Sequence, residues 1–405
     1  MPRLPIDCST ATGATMQGRT MLAFAGCNYL GLANDPRVLQ AVRMGLDRYG
    51  LSTTASRETT GNTTAFDDLE TALSQFLSTE RTLLLADGYT ANIAMAQALA
   101  TRFRTVLIDA KSHHSVHDAA RSAGLVVVTF PHGDTEAAAV LARRHADADP
   151  SGAVAILTDG VFTSDGAIAK LPALLAALPN ERSLLVVDDC HGVCVLGPEG
   201  RGTVSHYELT DPRIIITTTL AKGLGSYGGC IAGPAWFVEL ARSASGIYRC
   251  STPIPPAIAM AAHEALRIVL AEPERIERLR SNTARLRGAF EAIGLPLRAD
   301  HGSALIPIFA FVLDTHERME SVHRSMLDEG ILAPFIRYPN GPAEMFFRIV
   351  VNAAHTADQI DRLADAFARR LPAMGLTGSR GDGTRLSGGT DLKSPSGGPR
   401  VEGVA

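Results

Sequence analysis

Along this chain, short runs that are apolar at every position alternate with longer stretches in which apolar residues recur every three or four positions. The runs predict strands at 82–86, 105–109, 125–130, 153–158, 184–188 and 213–219, and Gly229-Cys-Ile-Ala-Gly-Pro234 reads as one more short strand and turn. Alanine-rich helical spacing fills 90–102 and 134–146 between them. Strands apolar at every position are buried on both faces, and their alternation with helices predicts an α/β class with a mostly parallel sheet covered on both sides.

Ahead of this block the pattern predicts a helix over 36–49, an irregular hydroxyl-rich stretch over 51–64 and a helix over 67–77. Behind it come long helices at 256–271 and 274–293. A second, βαβ-like set follows: strand 304–311, helix 315–329, strands near 331–337 and 346–351, and helix 356–370. The division expected is an N-terminal arm and helix (1–50), a large domain (51–273) and a smaller C-terminal α+β domain (274–374). From 375 the chain turns Gly/Ser/Pro-rich with few large apolar residues, the composition of a disordered tail.

Composition narrows the class. Hydrophobic residues are 46% and charged residues 20% of the 405, as in a soluble globular enzyme. Lys plus Arg is 38 against Asp plus Glu at 42, a net charge of −4, and no basic stripe argues for nucleic acid or a membrane surface. The six cysteines, Cys8, Cys27, Cys190, Cys194, Cys230 and Cys250, form no C-x-x-C pair and read as reduced thiols. With no charged-then-apolar leader pattern and no membrane-length apolar run, a cytoplasmic protein is expected.

Chemistry enters at Lys222. The β-branched run from Ile214 to Thr219 delivers it into a loop carrying Gly223, Gly225, Gly228 and Gly229. A lysine at the end of an apolar strand is paired or desolvated, and desolvation favours the neutral amine that a Schiff base requires. Many lysines in such places simply reach solvent. Gly223, Gly225 and Gly228 also spell G-x-G-x-x-G, but a dinucleotide loop must open a helix, and a strand is predicted here instead.

Ligands of open α/β sheets bind beyond the carboxyl ends of the strands, so the polar residues there belong together. Asp87-Gly-Tyr-Thr-Ala-Asn92 opens a helix whose free amides suit a phosphate, or is an ordinary turn capped by Asp87. Val187-Asp-Asp-Cys-His-Gly192 brings two carboxylates after a buried strand, costly unless partnered. His113 and His117 have the i,i+4 spacing of a metal pair, but no third ligand accompanies them. A lysine, an aspartate, a histidine and a helix-borne phosphate site together are what pyridoxal 5'-phosphate (PLP) requires.

Longer phrases carry a resemblance. They are Asn28-Tyr-Leu-Gly-Leu32, Gly88-Tyr-Thr-Ala-Asn92, Thr158-Asp-Gly-Val-Phe-Thr-Ser-Asp-Gly166, Val187-Asp-Asp-Cys-His-Gly192, Leu196-Gly-Pro-Glu-Gly-Arg-Gly202, Thr219-Leu-Ala-Lys222 and Ala353-Ala-His-Thr356. In this order, over about residues 25–370, the chain resembles the α-oxoamine synthases. The resemblance implies the fold-type-I, aminotransferase-like PLP architecture and a homodimer with shared active sites. It also implies the decarboxylative condensation of a small amino acid with an acyl thioester, carried by coenzyme A or by acyl-carrier protein. An aminotransferase or aldolase on the same fold is the alternative; a non-catalytic partner subunit would lack the lysine.

The resemblance also implies roles. Lys222 would hold the cofactor and remove the α-proton, Asp188 would bond the pyridinium nitrogen, and His191, assisted by Thr163, would bond the ring oxygen. His113 would stack on the ring. Thr219 and the amides of Gly88 and Tyr89 would take the phosphate, with Ser251 and Thr252 reaching that of the neighbouring subunit. Arg348, in Phe346-Phe-Arg-Ile-Val350, and Asn28 would hold the substrate carboxylate. No metal is implied. Three departures stand out: Phe66 in place of a histidine, Lys111-Ser112 in place of Leu-Asn, and Asp87 in place of a small hydroxyl residue. Phe66 and Lys111 are expected toward the acyl entry, and Asp87 beside the phosphate.

Overall fold

The computed structural model describes residues 5–164, 166–297, 306–338 and 340–371. The predicted tail from 375 lies outside these, as do the first residues of the strand predicted at 304–311.

Seven strands form the central sheet, in the order Arg81–Leu85, Gly229–Gly233, Ile214–Thr219, Leu184–Asp188, Ala155–Asp159, Thr105–Asp109, Val126–Phe130. All run parallel except Gly229–Gly233, which pairs antiparallel with both its neighbours. The pleat sends alternate residues to opposite faces. Leu185, Val187, Ile214 and Ile216 enter one core, and Leu184, Val186 and Ile215 enter the other. Helix Gly88–Leu99 covers the second face with Ala91, Ala94, Met95 and Ala98, all fully buried. The small side chains let this helix lie close to the strands, which matters because its N-terminus opens onto the site.

Beyond the long helices Pro256–Ala271 and Glu274–Ala292 the pattern is not βαβ. Ile308–Phe311 pairs antiparallel with Phe346–Val350, which pairs antiparallel with Phe335–Ile336. The predicted strand near 331–337 is split at Pro334, which has no amide proton to extend a ladder. Its first half, Ile331–Leu332, instead pairs in parallel with Arg19–Ala23. The N-terminal stretch read as an arm therefore carries strands Cys8–Ser9, Gly13–Met16 and Arg19–Ala23, and its Leu22 and Phe24 lie in the core built by the C-terminal residues. The same segment continues into helix Pro36–Tyr49, capped by Asp35, whose carboxylate accepts from the Arg37 amide at 3.0 Å.

Candidate active site

The carboxyl ends of the parallel strands converge on one polar cluster. Asp188 ends its strand directly opposite Asp159 on the neighbouring one. One Asp188 oxygen accepts from Asn92 Nδ2 at 2.7 Å and the other from the Cys190 amide at 3.1 Å. Asn92 is itself fixed, donating to Ser115 Oγ at 2.9 Å and accepting from Thr217 Oγ1 at 2.7 Å. Asp159 accepts from the His113 amide at 2.9 Å. Burial and then the neighbouring Asp188 charge push its carboxyl well above the ordinary range. Asp189 takes no part in this cluster. It is fully buried, bonded by the amide (2.7 Å) and hydroxyl (2.5 Å) of Thr203, and pushed up to about 6 by burial. The two adjacent carboxylates thus divide into one that faces the site and one that ties a loop, and neither uses a cation.

Lys222 leaves the strand Ile214–Thr219 and sets Nζ 2.6 Å from His191 Nε2. His191 Nδ1 lies 2.6 Å from the Tyr29 hydroxyl, and both rings are buried. Burial, with the cations Lys222 and Arg348 nearby, drives the His191 pKa well down, so the imidazole is neutral. The glycines of the Lys222 loop serve packing. Gly225 has φ +58, and a Cβ on it would fall 2.3 Å from the Ala33 amide nitrogen, so this loop lies against the N-terminal segment as no other residue would allow.

His113 caps helix His114–Ser122, with Nδ1 2.7 Å from Ser115 Oγ. Burial lowers its pKa, leaving a neutral imidazole. Asp87 caps helix Gly88–Leu99 through a reciprocal box with Thr90, accepting from the Thr90 amide at 2.7 Å. Its carboxylate thereby engages the third amide of the helix, while the Gly88 and Tyr89 amides precede that bond. A Cβ on Gly88 would come within 3.0 Å of Thr219 Cβ and 3.2 Å of Cys190 Sγ, so bare backbone abuts the Thr219 side chain there. The Thr219 hydroxyl donates to the Gly228 carbonyl at 3.1 Å.

Arg348 projects from the middle of Phe346–Val350, with Nε donating to the Thr163 carbonyl at 3.3 Å and the guanidinium 5.7 Å from the Tyr338 ring centroid. Burial opposes it, but Cys27, from the N-terminal segment, lies close enough to the guanidinium to help raise its pKa. The Asn28 amide oxygen instead accepts from the Ala33 amide at 3.2 Å. Ser251 and Thr252 are exposed, and the Ser251 hydroxyl donates to its own chain's Ile247 carbonyl. Tyr89 is also exposed, its hydroxyl on Asp118 at 3.0 Å.

Of the departures, Phe66 lines no open passage. It is wholly buried in the core beneath the Arg57 guanidinium, 5.0 Å from its ring centroid, where Arg57 pairs with Glu70. An aromatic ring can carry that cation on its face without a hydrogen bond. Lys111 sits at the turn after Thr105–Asp109, its amide on Asp109 and its carbonyl accepting from Asn340.

Tyr29, Cys27, Asn92 and Asp159 had gone unassigned in the sequence. For Asn92 a signal existed: an amide among alanines on a helix buried nearly all round must find buried partners. For Cys27 and Tyr29 none did, because their partners lie more than a hundred residues away.

A lysine amine, a carboxylate held by two donors, a neutral histidine on each side and a side-chain-free helix N-terminus are the donor set that fits PLP. The family model for aminotransferase class I and II matches residues 19–367. The chain is 37% identical over 372 residues to 8-amino-7-oxononanoate synthase of Methylococcus capsulatus, covering 91% of this chain and 93% of that one. It is 36% identical over 367 residues to the enzyme of that name from Thioalkalivibrio sulfidiphilus, covering 90% and 92%. Among solved structures, serine palmitoyltransferase from S. paucimobilis, with PLP bound, superimposes with a TM-score of 0.84 at 26% identity, covering 92% of this chain and 93% of that one. The chain belongs to the aminotransferase class I and II family, of fold-type-I architecture, and within it to the PLP-dependent α-oxoamine synthases.

Proposed function

We propose that this protein is a PLP-dependent C-acyltransferase that condenses a small amino acid with an acyl thioester, releasing carbon dioxide, free thiol and an α-amino ketone. The observation that carries the reading is the convergence of Lys222, His191, Asp188 and His113 at the ends of adjacent strands. When bound, PLP supplies an electrophilic carbon and a ring that accepts electrons from the substrate α-carbon.

The chain's own residues do the rest. Lys222 holds the cofactor and takes the α-proton. Asp188, oriented by Asn92 and the Cys190 amide, keeps a proton on the ring nitrogen. His191 and Thr163 serve the ring oxygen, and the neutral His113 covers the ring face. Thr219 with the Gly88 and Tyr89 amides receives the phosphate, where a helix N-terminus favours an anion. Arg348 grips the substrate carboxylate with its planar fork, and Asn28 is the second polar group on that side. Holding the carboxylate would fix the orientation of the α-carbon so that its proton faces Lys222.

Exposed Ser251 and Thr252 support a homodimer in which they reach the neighbour's phosphate site. Residues 250–256 then belong to a subunit interface. Unpaired cysteines throughout support a cytoplasmic location. Among the described residues no helix is long and apolar enough to cross a membrane.

The test is product stoichiometry. With a panel of glycine, alanine and serine against coenzyme A and carrier-protein thioesters, one pairing gives carbon dioxide and thiol in equal amounts. Conversion of the amino acid to a keto acid with no thiol released would establish an aminotransferase instead.

A further inference from the structure

The mechanism above uses His191 but leaves open which of its nitrogens carries the proton. A neutral imidazole has one donor and one acceptor, and only an Nε2–H can donate to the cofactor's ring oxygen, the role proposed for His191 above. The structure supplies a residue that decides this. Tyr29 is completely buried, and its hydroxyl is 2.6 Å from His191 Nδ1. Burial raises the phenol's pKa well above its ordinary value, so the hydroxyl keeps its proton.

Around the phenol oxygen stand Arg348, which accepts nothing, and the Cys27 sulfur, a weak acceptor. The imidazole nitrogen is the strong acceptor within reach. The Tyr29 backbone holds the ring in this place: its amide donates to the Cys27 carbonyl at 2.8 Å, and its carbonyl accepts from the Ala353 amide at 2.8 Å.

We propose that Tyr29 is a positioning residue that sets the tautomer of His191, donating its hydroxyl proton to Nδ1 so that the imidazole presents Nε2–H to the Lys222 side of the site. This deepens the reading of Lys222 and His191 given above and rests on it. It also places the phenol between Arg348, at the substrate carboxylate, and His191, at the cofactor. The N-terminal segment thereby becomes part of the catalytic apparatus without touching a reacting atom.

The test compares wild type with Tyr29→Phe, which keeps the buried ring and removes only the hydroxyl. Histidine is labelled with ¹⁵N, and the His191 signals are identified by their loss in His191→Gln. In the wild type with cofactor bound, Nδ1 is expected to show the shift of an unprotonated nitrogen and Nε2 that of a protonated one. In Tyr29→Phe the Nδ1–H form becomes populated. The pH midpoint of the bound cofactor's visible band moves by roughly half a unit to one unit, the order of the net contribution of one neutral hydrogen bond.

An Nδ1–H wild type, or a variant with unchanged nitrogen shifts and unchanged midpoint, overturns the proposal. The two failures are distinguishable. A protein that never binds PLP defeats both readings, while a PLP-loaded enzyme that releases thiol but shows unmoved His191 nitrogens in Tyr29→Phe defeats the tautomer proposal alone. A variant that only loses thermal stability and keeps both spectroscopic readouts shows a structural tyrosine and rejects the proposal.

Discussion

Replacing Asn92 with alanine tests how this protein holds its central carboxylate. The amide is 1% exposed, donates to Asp188 and Ser115, and accepts from Thr217. Truncation removes one bond from each of these partners at once, leaving Asp188 only the Cys190 amide and Ser115 only His113. A buried polar group deprived of its partner costs roughly 1–3 kcal/mol, and a water entering the vacated space recovers part of that. The net loss is about 3 kcal/mol, or about 4 °C in Tm at the shallow slope of a large chain.

Function should fall together with stability. A hydrogen bond to a charged carboxylate contributes roughly 1.5–3 kcal/mol, so a carboxylate free to swing loses about ten- to a hundredfold in kcat. Asn92→Asp, of equal size, should be worse, because it sets a second carboxylate 2.7 Å from Asp188 in place of a donor. Circular dichroism melts give the first quantity and thiol release the second. An alanine variant that melts within about 1 °C of wild type with unchanged kcat would refute the claim that Asn92 orients Asp188.

Other expectations follow from the same geometry. Borohydride reduction of the loaded enzyme followed by peptide mapping should place the pyridoxyl group on Lys222, and label on another lysine would remove it from its role. Asp188→Asn should keep PLP but lose most turnover, since an amide cannot hold the ring-nitrogen proton; near-normal kcat would move that role to another group. Asp35, bonded first by the Arg37 side chain and also by Arg275, has its pKa lowered from 3.8 to about 2. A depressed carboxyl pKa contributes stability above the unfolded value that is lost as pH falls through the folded one. Asp35→Asn should therefore cost roughly 2 kcal/mol at neutral pH and about half that near pH 3, measured by urea midpoints. A gap that does not narrow on acidification would contradict the assignment.

Hydrophobic patterning along the chain was enough to determine the central sheet. Every predicted strand of it is present with shifts of a residue or two at the ends, because a run apolar at all positions is stable only between two covering layers. The chemistry at the strand ends was legible for the same reason: Asp188 and Lys222 follow such runs directly, and a topology of parallel strands brings their carboxyl ends to one edge. Asp87 as a helix cap was also legible, since a cap depends on only a few successive residues.

What the tertiary structure alone decided is partner choice over long distances. Nothing local says that Pro334 divides one strand between two sheets, that Arg19–Ala23 joins Ile331–Leu332, or that the supposed arm carries Tyr29 to His191. Nor does anything local say that the Asn28 oxygen is taken by the Ala33 amide or that Arg348 donates to the Thr163 carbonyl. Phe66, placed by resemblance at the substrate entry, is core because Arg57 covers it. Periodicity reports which face of an element is buried; it carries no information on which distant residue completes a hydrogen bond, and that is settled only when the chain closes on itself.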